Sequence, residues 1–211
     1  MSGRISEPRL CSRPTEHGPF GILVIAASLG GISALGDVLA GLPTDFPLPI
    51  LVCQHVLRDR PSLLPTVLGR RTGLRIAVAA DGDLPMAGTV HVAPPDRHLM
   101  VHTDGLLKLS EEARINFCRP SADVLFRSVA ASHGPRALAV VLTGRGRDGA
   151  QGVAAIRRQG GFAIAQDEAS SEAFDMPLAA RDIGQADLML PLRQIPGALR
   201  VLTAGQDLAF A

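Results

Sequence analysis

The sequence predicts a single α/β domain built on a doubly wound, mostly parallel sheet with helices on both faces. Residues 22–27 and 49–53 are short, uninterrupted apolar runs, which are typical of strands buried on both faces of a parallel sheet. Apolar residues between these runs recur with the 3.6-residue period of a helix, which makes a strand-helix-strand unit. These residues are Ile32, Leu35, Val38, Leu39 and Leu42.

The remaining elements continue this alternation. After the first unit we predict a helix over 62–71 interrupted by Pro65, strands at 75–80 and 89–94, and a hairpin over 98–110 that turns at Asp104-Gly105. A helix then runs from Ser121, its N-cap, to Gly134. The rest of the chain alternates between strands at 137–142, 162–166 and 187–190 and helices over 149–158, over 176–183 and from Arg193. The Asp-Gly pair favours a type I′ turn, with the antiparallel hairpin at one edge of the sheet. Residues 20–203 form the predicted domain between tails at 1–19 and 204–211.

Composition excludes several classes of function. The net charge of +1, with no Trp or Tyr, argues against nucleic-acid binding. No apolar stretch is long enough to span or insert into a membrane, and the first residues lack the apolar core of a secretory signal. Cys11, Cys53 and Cys118 are widely spaced and have no metal-ligand spacing, so we expect neither a disulfide framework nor a structural zinc site, and a reducing cytoplasmic environment.

Three polar residues follow predicted strands, where ligands bind in open α/β sheets. Ser28 follows the run 22–27, His55 follows the run 49–53, and Asp148 lies in the glycine-rich loop after the strand at 137–142. A serine nucleophile needs a base to take its proton and an acid to orient that base, and these residue types meet that need. Their joint placement predicts a serine hydrolase.

Each residue also has a structural interpretation that the pattern leaves open. Ser28 can cap the following helix, His55 can be an ordinary loop histidine, and Asp148 can cap the helix after its loop. A phosphate cradle at Gly30-Gly31 is a weaker interpretation, because the nucleotide-binding glycine spacings are absent. Cys53 is predicted to be an inert strand cysteine that points away from the site.

Six sequence blocks resemble the catalytic domain of the CheB-type chemotaxis receptor methylesterases. They are AASLGG, LPTDFPLPILVCQHV, GTVHVAPPDRHLMV, RPSADVLFRSVA, VVLTGRGRDGAQG and AIAQDEASSEAFDMPLAA, in that family's order. The resemblance covers roughly residues 20–200. It implies that Ser28 is the nucleophile, His55 the general base and acid, and Asp148 the carboxylate that orients His55. The implied reaction is hydrolysis of γ-glutamyl methyl esters on chemoreceptor helices, together with glutamine deamidation, without a metal or cofactor.

Leu29 and Arg145 depart from the family pattern, which commonly has Thr and Met at these positions. We expect backbone amides of Leu29, Gly30 and Arg145, or amides in the loop at His55, to hold the oxyanion. Arginines are expected to form an electropositive rim for acidic receptor helices. They are Arg58, Arg60, Arg119, Arg145 and Arg147.

Regulation and the alternative function are further expectations. Family members usually carry an N-terminal receiver domain, whereas fewer than about 20 residues precede the first predicted strand here. We therefore expect constitutive activity or control by a separate receiver protein. The two departures at Leu29 and Arg145 favour an alternative, a non-catalytic partner-binding module of the same fold.

Overall fold

Strands and helices alternate along most of the chain in the computed structural model, which describes residues 18–56 and 62–206, and four strands follow one another between residues 75 and 110. The strands are Ile22–Ala27 (β1), Ile50–Gln54 (β2), Arg75–Val78 (β3), Thr89–Val92 (β4), His98–Val101 (β5), Leu107–Ser110 (β6), Ala137–Val141 (β7), Phe162–Gln166 (β8) and Leu188–Leu190 (β9). The α-helices are Gly31–Ala40 (α1), Leu64–Gly69 (α2), Ala122–His133 (α3), Ala150–Arg158 (α4), Asp175–Asp182 (α5) and Ile195–Thr203 (α6). The order confirms the predicted α/β alternation.

Seven strands form one sheet in the order β3-β4-β2-β1-β7-β8-β9, and every pair in it is parallel. β1 lies at the centre, between β2 and β7, and all residues of these three strands are buried. Their composition is apolar except for Gln54 at the end of β2, which follows from burial on both faces. The carboxyl ends of β1, β2 and β7 therefore lie side by side at the point where the strand order reverses, which is the usual ligand position in such sheets.

Two hydrophobic layers cover the sheet. α1, α2 and α6 pack on one face, whereas α3, α4, α5 and the hairpin pack on the other. This confirms the prediction of helices on both faces. Ile32, which the helical period placed on the apolar side of α1, is instead 43% exposed. Pro65 lies in the first turn of α2, where a missing amide hydrogen costs nothing, so it begins that helix and does not interrupt it.

The predicted hairpin forms its own two-stranded antiparallel sheet, separate from the seven-stranded one. Its turn differs from the predicted type I′ turn, which needs positive φ at both central residues. Only Gly105 of the Asp104-Gly105 pair has a positive φ, of 86°, and its amide donates to the His102 carbonyl. The loop is thus longer than two residues, and Gly105 takes its left-handed position.

Some predictions fall outside the described residues. They include almost all of the N-terminal tail, most of the C-terminal tail, and the rim residues Arg58 and Arg60. The domain boundaries therefore stay a prediction. Within the described ranges, no helix combines the length and apolar character that a membrane crossing requires.

Candidate active site

Ser28 lies directly after β1, at the junction with α1. Its amide donates to the Thr143 carbonyl at 3.0 Å, and its carbonyl accepts from the Gly31 amide at 2.9 Å and from Gln54 Nε2 at 2.8 Å. Thr143 lies just beyond β7 and Gln54 ends β2, so both neighbouring strands anchor the Ser28 backbone. Across residues 18–56 and 62–206, Ser28 Oγ has no hydrogen-bond partner, so the hydroxyl is available for chemistry.

Glycines permit the tight backbone around Ser28. Gly30 has a φ of 75°, the left-handed conformation that glycine adopts without steric cost, and it is the N-cap residue of α1. A Cβ on Gly144 would lie 2.8 Å from Ser28 Cβ, closer than side-chain atoms approach. The loop after β7 therefore passes directly against the Ser28 side chain because residue 144 has none.

His55, one residue beyond β2, pairs with Asp148, which lies in the loop between β7 and α4. His55 Nε2 is 2.9 Å from Asp148 Oδ2. Because a carboxylate only accepts, Nε2 carries the hydrogen in this pair. Burial lowers the pKa of His55, but hydrogen bonds with Asp148 and Cys118 outweigh burial and raise that pKa to about 9. Because the pKa of His55 is raised and that of Asp148 is lowered, their hydrogen bond joins a protonated ring to a carboxylate over a wide pH range.

Asp148 is 2% exposed and is held by the N-terminal end of α3. Its Oδ1 accepts from Ser121 Oγ at 2.7 Å and from Asn116 Nδ2 at 3.2 Å, and its Oδ2 accepts from the Ala122 amide at 2.6 Å. Burial raises the pKa of the Asp148 carboxyl, yet the hydrogen bonds from His55, Ser121 and Ala122 hold it below its usual value. The carboxylate is thus fixed in both orientation and charge.

This arrangement decides between two interpretations of Ser121 and Asp148. Ser121 occupies the N-cap position of α3, as predicted, but its side chain makes no capping bond to that helix. Asp148 instead accepts from the first amides of α3, those of Ala122 and Asp123, and it does not cap the helix after its own loop. The carboxylate caps a helix that precedes it in sequence, and it holds His55 at the same time.

One cavity of about 460 Å³ joins Ser28 and His55. Its other lining residues come from the turn and first part of α1 and from the end of β2: Leu29, Gly30, Gly31, Ile32, Ser33 and Gln54. Leu29 is 41% exposed at this cavity. The structure therefore brings Ser28, His55 and Asp148 into one neighbourhood, although no hydrogen bond joins Ser28 to His55 within the described part of the chain.

The candidate oxyanion donors separate into two groups. The amides of Leu29, Gly30 and Arg145 find no acceptor among the described residues. The His55 amide donates to the Ala27 carbonyl at 3.1 Å, as the next rung of the β1-β2 ladder, so it is not available. The His55 amide itself is therefore excluded as an oxyanion donor, whereas a donor elsewhere in the loop after β2 stays a prediction.

The predicted arginine rim is only partly in place. Arg145 and Arg147 are exposed beside Asp148, and within the described ranges neither forms an ion pair with it. The Arg119 guanidinium is bound by other residues: it pairs with Asp96 at 3.0 Å and donates to the Glu111 carbonyl at 2.6 Å. Because these bonds hold it, Arg119 belongs to the scaffold and not to a free rim.

Sequence reasoning missed four residues at this site: Gln54, Asn116, Cys118 and Ser121 as a partner of Asp148. Cys118 Sγ lies 3.8 Å from His55 Nδ1 and donates to the Asn116 carbonyl at 3.3 Å. Cys53, by contrast, is 1% exposed in β2, and burial raises the pKa of its thiol, in keeping with the predicted inert cysteine. The only sequence signal for Asn116, Cys118 and Ser121 is that they lie within six residues of one another, which places them in the same loop before α3.

A ring nitrogen of His55, Cys118 Sγ and a carboxylate oxygen of Asp148 lie within 4.8 Å of one another. Nitrogen, sulfur and oxygen at this spacing can hold a divalent transition metal ion. The site thus has the parts for nucleophilic catalysis, and it also has a donor set that the sequence spacing did not reveal.

Comparison with known proteins identifies the family. The CheB methylesterase family model matches residues 23–199. The chain is 45% identical over 182 residues to the protein-glutamate methylesterase/protein-glutamine glutaminase 2 of Anaeromyxobacter dehalogenans, covering 86% of this chain and 53% of that protein. It is 44% identical over 181 residues to the protein-glutamate methylesterase FrzG of Myxococcus xanthus, covering 86% and 54%. The chain thus spans about half the length of these curated relatives.

A solved structure agrees with the sequence comparisons. The Thermotoga maritima CheB methylesterase catalytic domain superposes with a TM-score of 0.82 at 34% identity, covering 85% of this chain and 97% of that one. Its fold is therefore shared over nearly the whole of that domain. From the family model, the relatives and this structure together, the chain belongs to the CheB methylesterase family.

Proposed function

We propose that this chain is a serine hydrolase that cleaves γ-glutamyl methyl esters on chemoreceptor helices or related signalling proteins and also deamidates glutamine. The observation that carries the proposal is the 2.9 Å pair of His55 and Asp148 beside an unpartnered Ser28 hydroxyl at the carboxyl edge of the sheet. The names of the relatives, which include both methylesterase and glutaminase, support the two reactions.

The contact between His55 and Asp148 supports the following course for each proton. His55, whose pKa is raised to about 9, acts as the base in its neutral form, after its ring has lost one proton to solvent. In that form Nε2–H stays bonded to Asp148 and the lone pair is on Nδ1, which takes the Ser28 proton as Oγ attacks the ester carbonyl carbon. His55 returns that proton to the leaving methoxy group, and methanol departs. A water molecule, deprotonated by His55, then hydrolyses the acyl-Ser28 ester and regenerates the serine. Hydrogen bonds of this kind often tighten only when substrate binds.

The amides of Leu29, Gly30 and Arg145 are the proposed oxyanion donors. They have no acceptor among the described residues, and they flank Ser28 in the turn before α1 and in the loop after β7. Backbone donors do not depend on side-chain identity, so Leu29 and Arg145 retain this capacity despite their departure from the family pattern. This argues for an enzyme over a binding module that has lost catalysis.

Exposed groups around the cavity suit a protein substrate. Leu29 and Ile32 are 41% and 43% exposed at the cavity, and Arg145 and Arg147 are exposed beside Asp148. Apolar contacts and cations together fit an amphipathic, acidic receptor helix. A rim contribution from Arg58 and Arg60, control by a separate receiver protein and a cytoplasmic location stay predictions.

Methanol release from methyl-esterified receptor membranes tests the proposal. We compare the intact chain with Ser28→Ala and with Ser33→Ala, a matched control that lines the same cavity but has no assigned role. Release is expected from the intact chain and Ser33→Ala and should vanish in Ser28→Ala. A fluorophosphonate probe should label Ser28 only when His55 is present. Intact chain that neither releases methanol nor reacts with the probe would favour the binding module.

A further inference from the structure

The imidazole of His55 lies between a carboxylate and a thiol. Its Nε2 is 2.9 Å from Asp148 Oδ2, and its Nδ1 is 3.8 Å from Cys118 Sγ. The proposed ester hydrolysis uses the carboxylate but has no use for the thiol. Cys118 is therefore a metal-ligating group at the centre of the site for which the reaction gives no reason.

The spacing of the three side chains is close to that of a zinc site. Tetrahedral zinc, at roughly 2.0 to 2.3 Å from nitrogen, oxygen and sulfur ligands, requires ligand atoms about 3.3 to 3.6 Å apart. One donor atom each from His55, Cys118 and Asp148 already lies within 4.8 Å of the others. Because one ring nitrogen binds the ion, and Asp148 and Cys118 contact opposite nitrogens of His55, the ring must turn until a single nitrogen faces both the thiolate and the carboxylate. Three protein ligands leave the fourth position to water.

The surroundings are also those of a metal site. Ligating carboxylates are usually hydrogen-bonded themselves, and Asp148 is oriented by Ser121 Oγ at 2.7 Å and by the Ala122 amide at 2.6 Å. The His55 side chain is 16% exposed and Cys118 is half-buried, so an ion reaches the site from solvent. The mixed nitrogen, sulfur and oxygen donors favour zinc over magnesium or calcium, which prefer oxygen alone.

We propose that Zn²⁺ binds reversibly to Cys118, His55 and Asp148 and inhibits the enzyme. On binding, the Cys118 thiol releases its proton to solvent, and a protonated His55 ring releases one as well, because only the neutral imidazole binds a metal. The metal then accepts electron pairs from the thiolate, a ring nitrogen and a carboxylate oxygen. The imidazole, bound to the metal, no longer takes the Ser28 proton. The inhibition rests on the proposed function, whereas the binding does not.

Cobalt binding tests the site independently of catalysis. Co²⁺ added to the chelator-free chain should produce a thiolate-to-cobalt charge-transfer band, equally in Ser28→Ala, and Zn²⁺ should displace it. The band should be absent in Cys118→Ala and Cys118→Ser but present in Cys53→Ala, which removes a buried thiol that does not touch His55. Absence of the band in the intact chain, or its persistence in both Cys118 variants, would overturn the proposal. Circular dichroism confirms that each variant is folded.

Zinc inhibition gives the second readout. The Zn²⁺ concentration for half-inhibition of methanol release should rise at least about tenfold in Cys118→Ser relative to Cys53→Ala, and a chelator should restore the activity of the intact chain. Equal inhibition of the two variants would overturn the assignment of Cys118 as a ligand. If the chain releases no methanol at all but shows the cobalt band, the proposed function fails and the metal site stands.

Discussion

The hydroxyl of Ser121 is expected to stabilise the fold through the charge on Asp148. Ser121 is fully buried, and its Oγ donates to Asp148 Oδ1 at 2.7 Å, a length within the range of charge-assisted hydroxyl-to-carboxylate bonds. Ser121→Ala removes this one oxygen and keeps the backbone of the α3 N-terminus. Asp148 then depends on its bonds with His55, Asn116 and the first amides of α3.

The expected loss follows from the type of bond. A hydrogen bond to a charged group contributes about 1.5 to 3 kcal/mol, whereas a neutral bond contributes about 0.5 to 1.5 kcal/mol. Ser132→Ala is the matched control on the same helix, because Ser132 Oγ donates at 2.9 Å to the uncharged carbonyl of Ser128. Ser121→Ala should therefore lower the free energy of unfolding by about 1 kcal/mol more than Ser132→Ala does.

The sign of the pH dependence separates charge from packing. The pKa of folded Asp148 is lowered, so its ionisation stabilises the fold above the unfolded value of about 3.9, and this stabilisation is lost as the pH falls through the folded pKa. In Ser121→Ala the Asp148 carboxyl has lost one hydrogen-bond donor, so its pKa is lowered less than in the intact chain. The gap between intact chain and Ser121→Ala should thus be largest at neutral pH and should shrink below about pH 4.

Urea unfolding of the intact chain and the two variants, at pH 7 and near pH 3, measures both effects. The dependence of the unfolding free energy on urea concentration should have the same slope in all three proteins, so that their unfolding midpoints can be compared directly. A cost for Ser121→Ala no larger than that of Ser132→Ala, or a gap that does not change with pH, would refute the reasoning. Methanol release should fall in Ser121→Ala mainly through kcat, because Ser121 positions Asp148 and does not contact the cavity.

Three more perturbations have defined outcomes. Gly144→Ala puts a Cβ 2.8 Å from Ser28 Cβ and should lower kcat by about 10²-fold through displacement of the nucleophile; unchanged kinetics would contradict this. Asp148→Asn should lower kcat by roughly 10⁴-fold, as loss of the orienting carboxylate does in serine hydrolases, and a loss under tenfold would argue against the triad. The ring nitrogens of His91 are buried and have no hydrogen-bond partner among residues 18–56 and 62–206, and burial lowers the pKa of His91, so the fold should lose stability as the pH falls below about 6.5. His91→Leu should raise the free energy of unfolding by about 1 to 3 kcal/mol and weaken that pH dependence in urea titrations; a less stable variant would count against it.

The hydrophobic pattern of the sequence was sufficient to predict the strands whose burial alone determines their composition. The strands predicted at residues 22–27 and 162–166 coincide with β1 and β8, because a strand buried on both faces is apolar over most of its length; only Gln166, at the end of β8, is polar. Local pattern did not predict the exposure of Ile32. The helical period shows which residues of α1 share a face, but it does not show that this part of the face borders the cavity and not the sheet. Local pattern was also insufficient for the hairpin turn, because Asp-Gly is compatible with more than one loop length.

The sequence by itself determined the α/β class, the carboxyl edge of the sheet as the place of the site, and Ser28, His55 and Asp148 as its candidates. These follow from periodicity and from polar residues at strand ends, which are properties of contiguous segments. Only the tertiary structure decided that α3 holds Asp148 and that Cys118 lies against His55. Those contacts join residues 26 and 63 positions apart, and such distances are set by how strands and helices pack, not by local sequence.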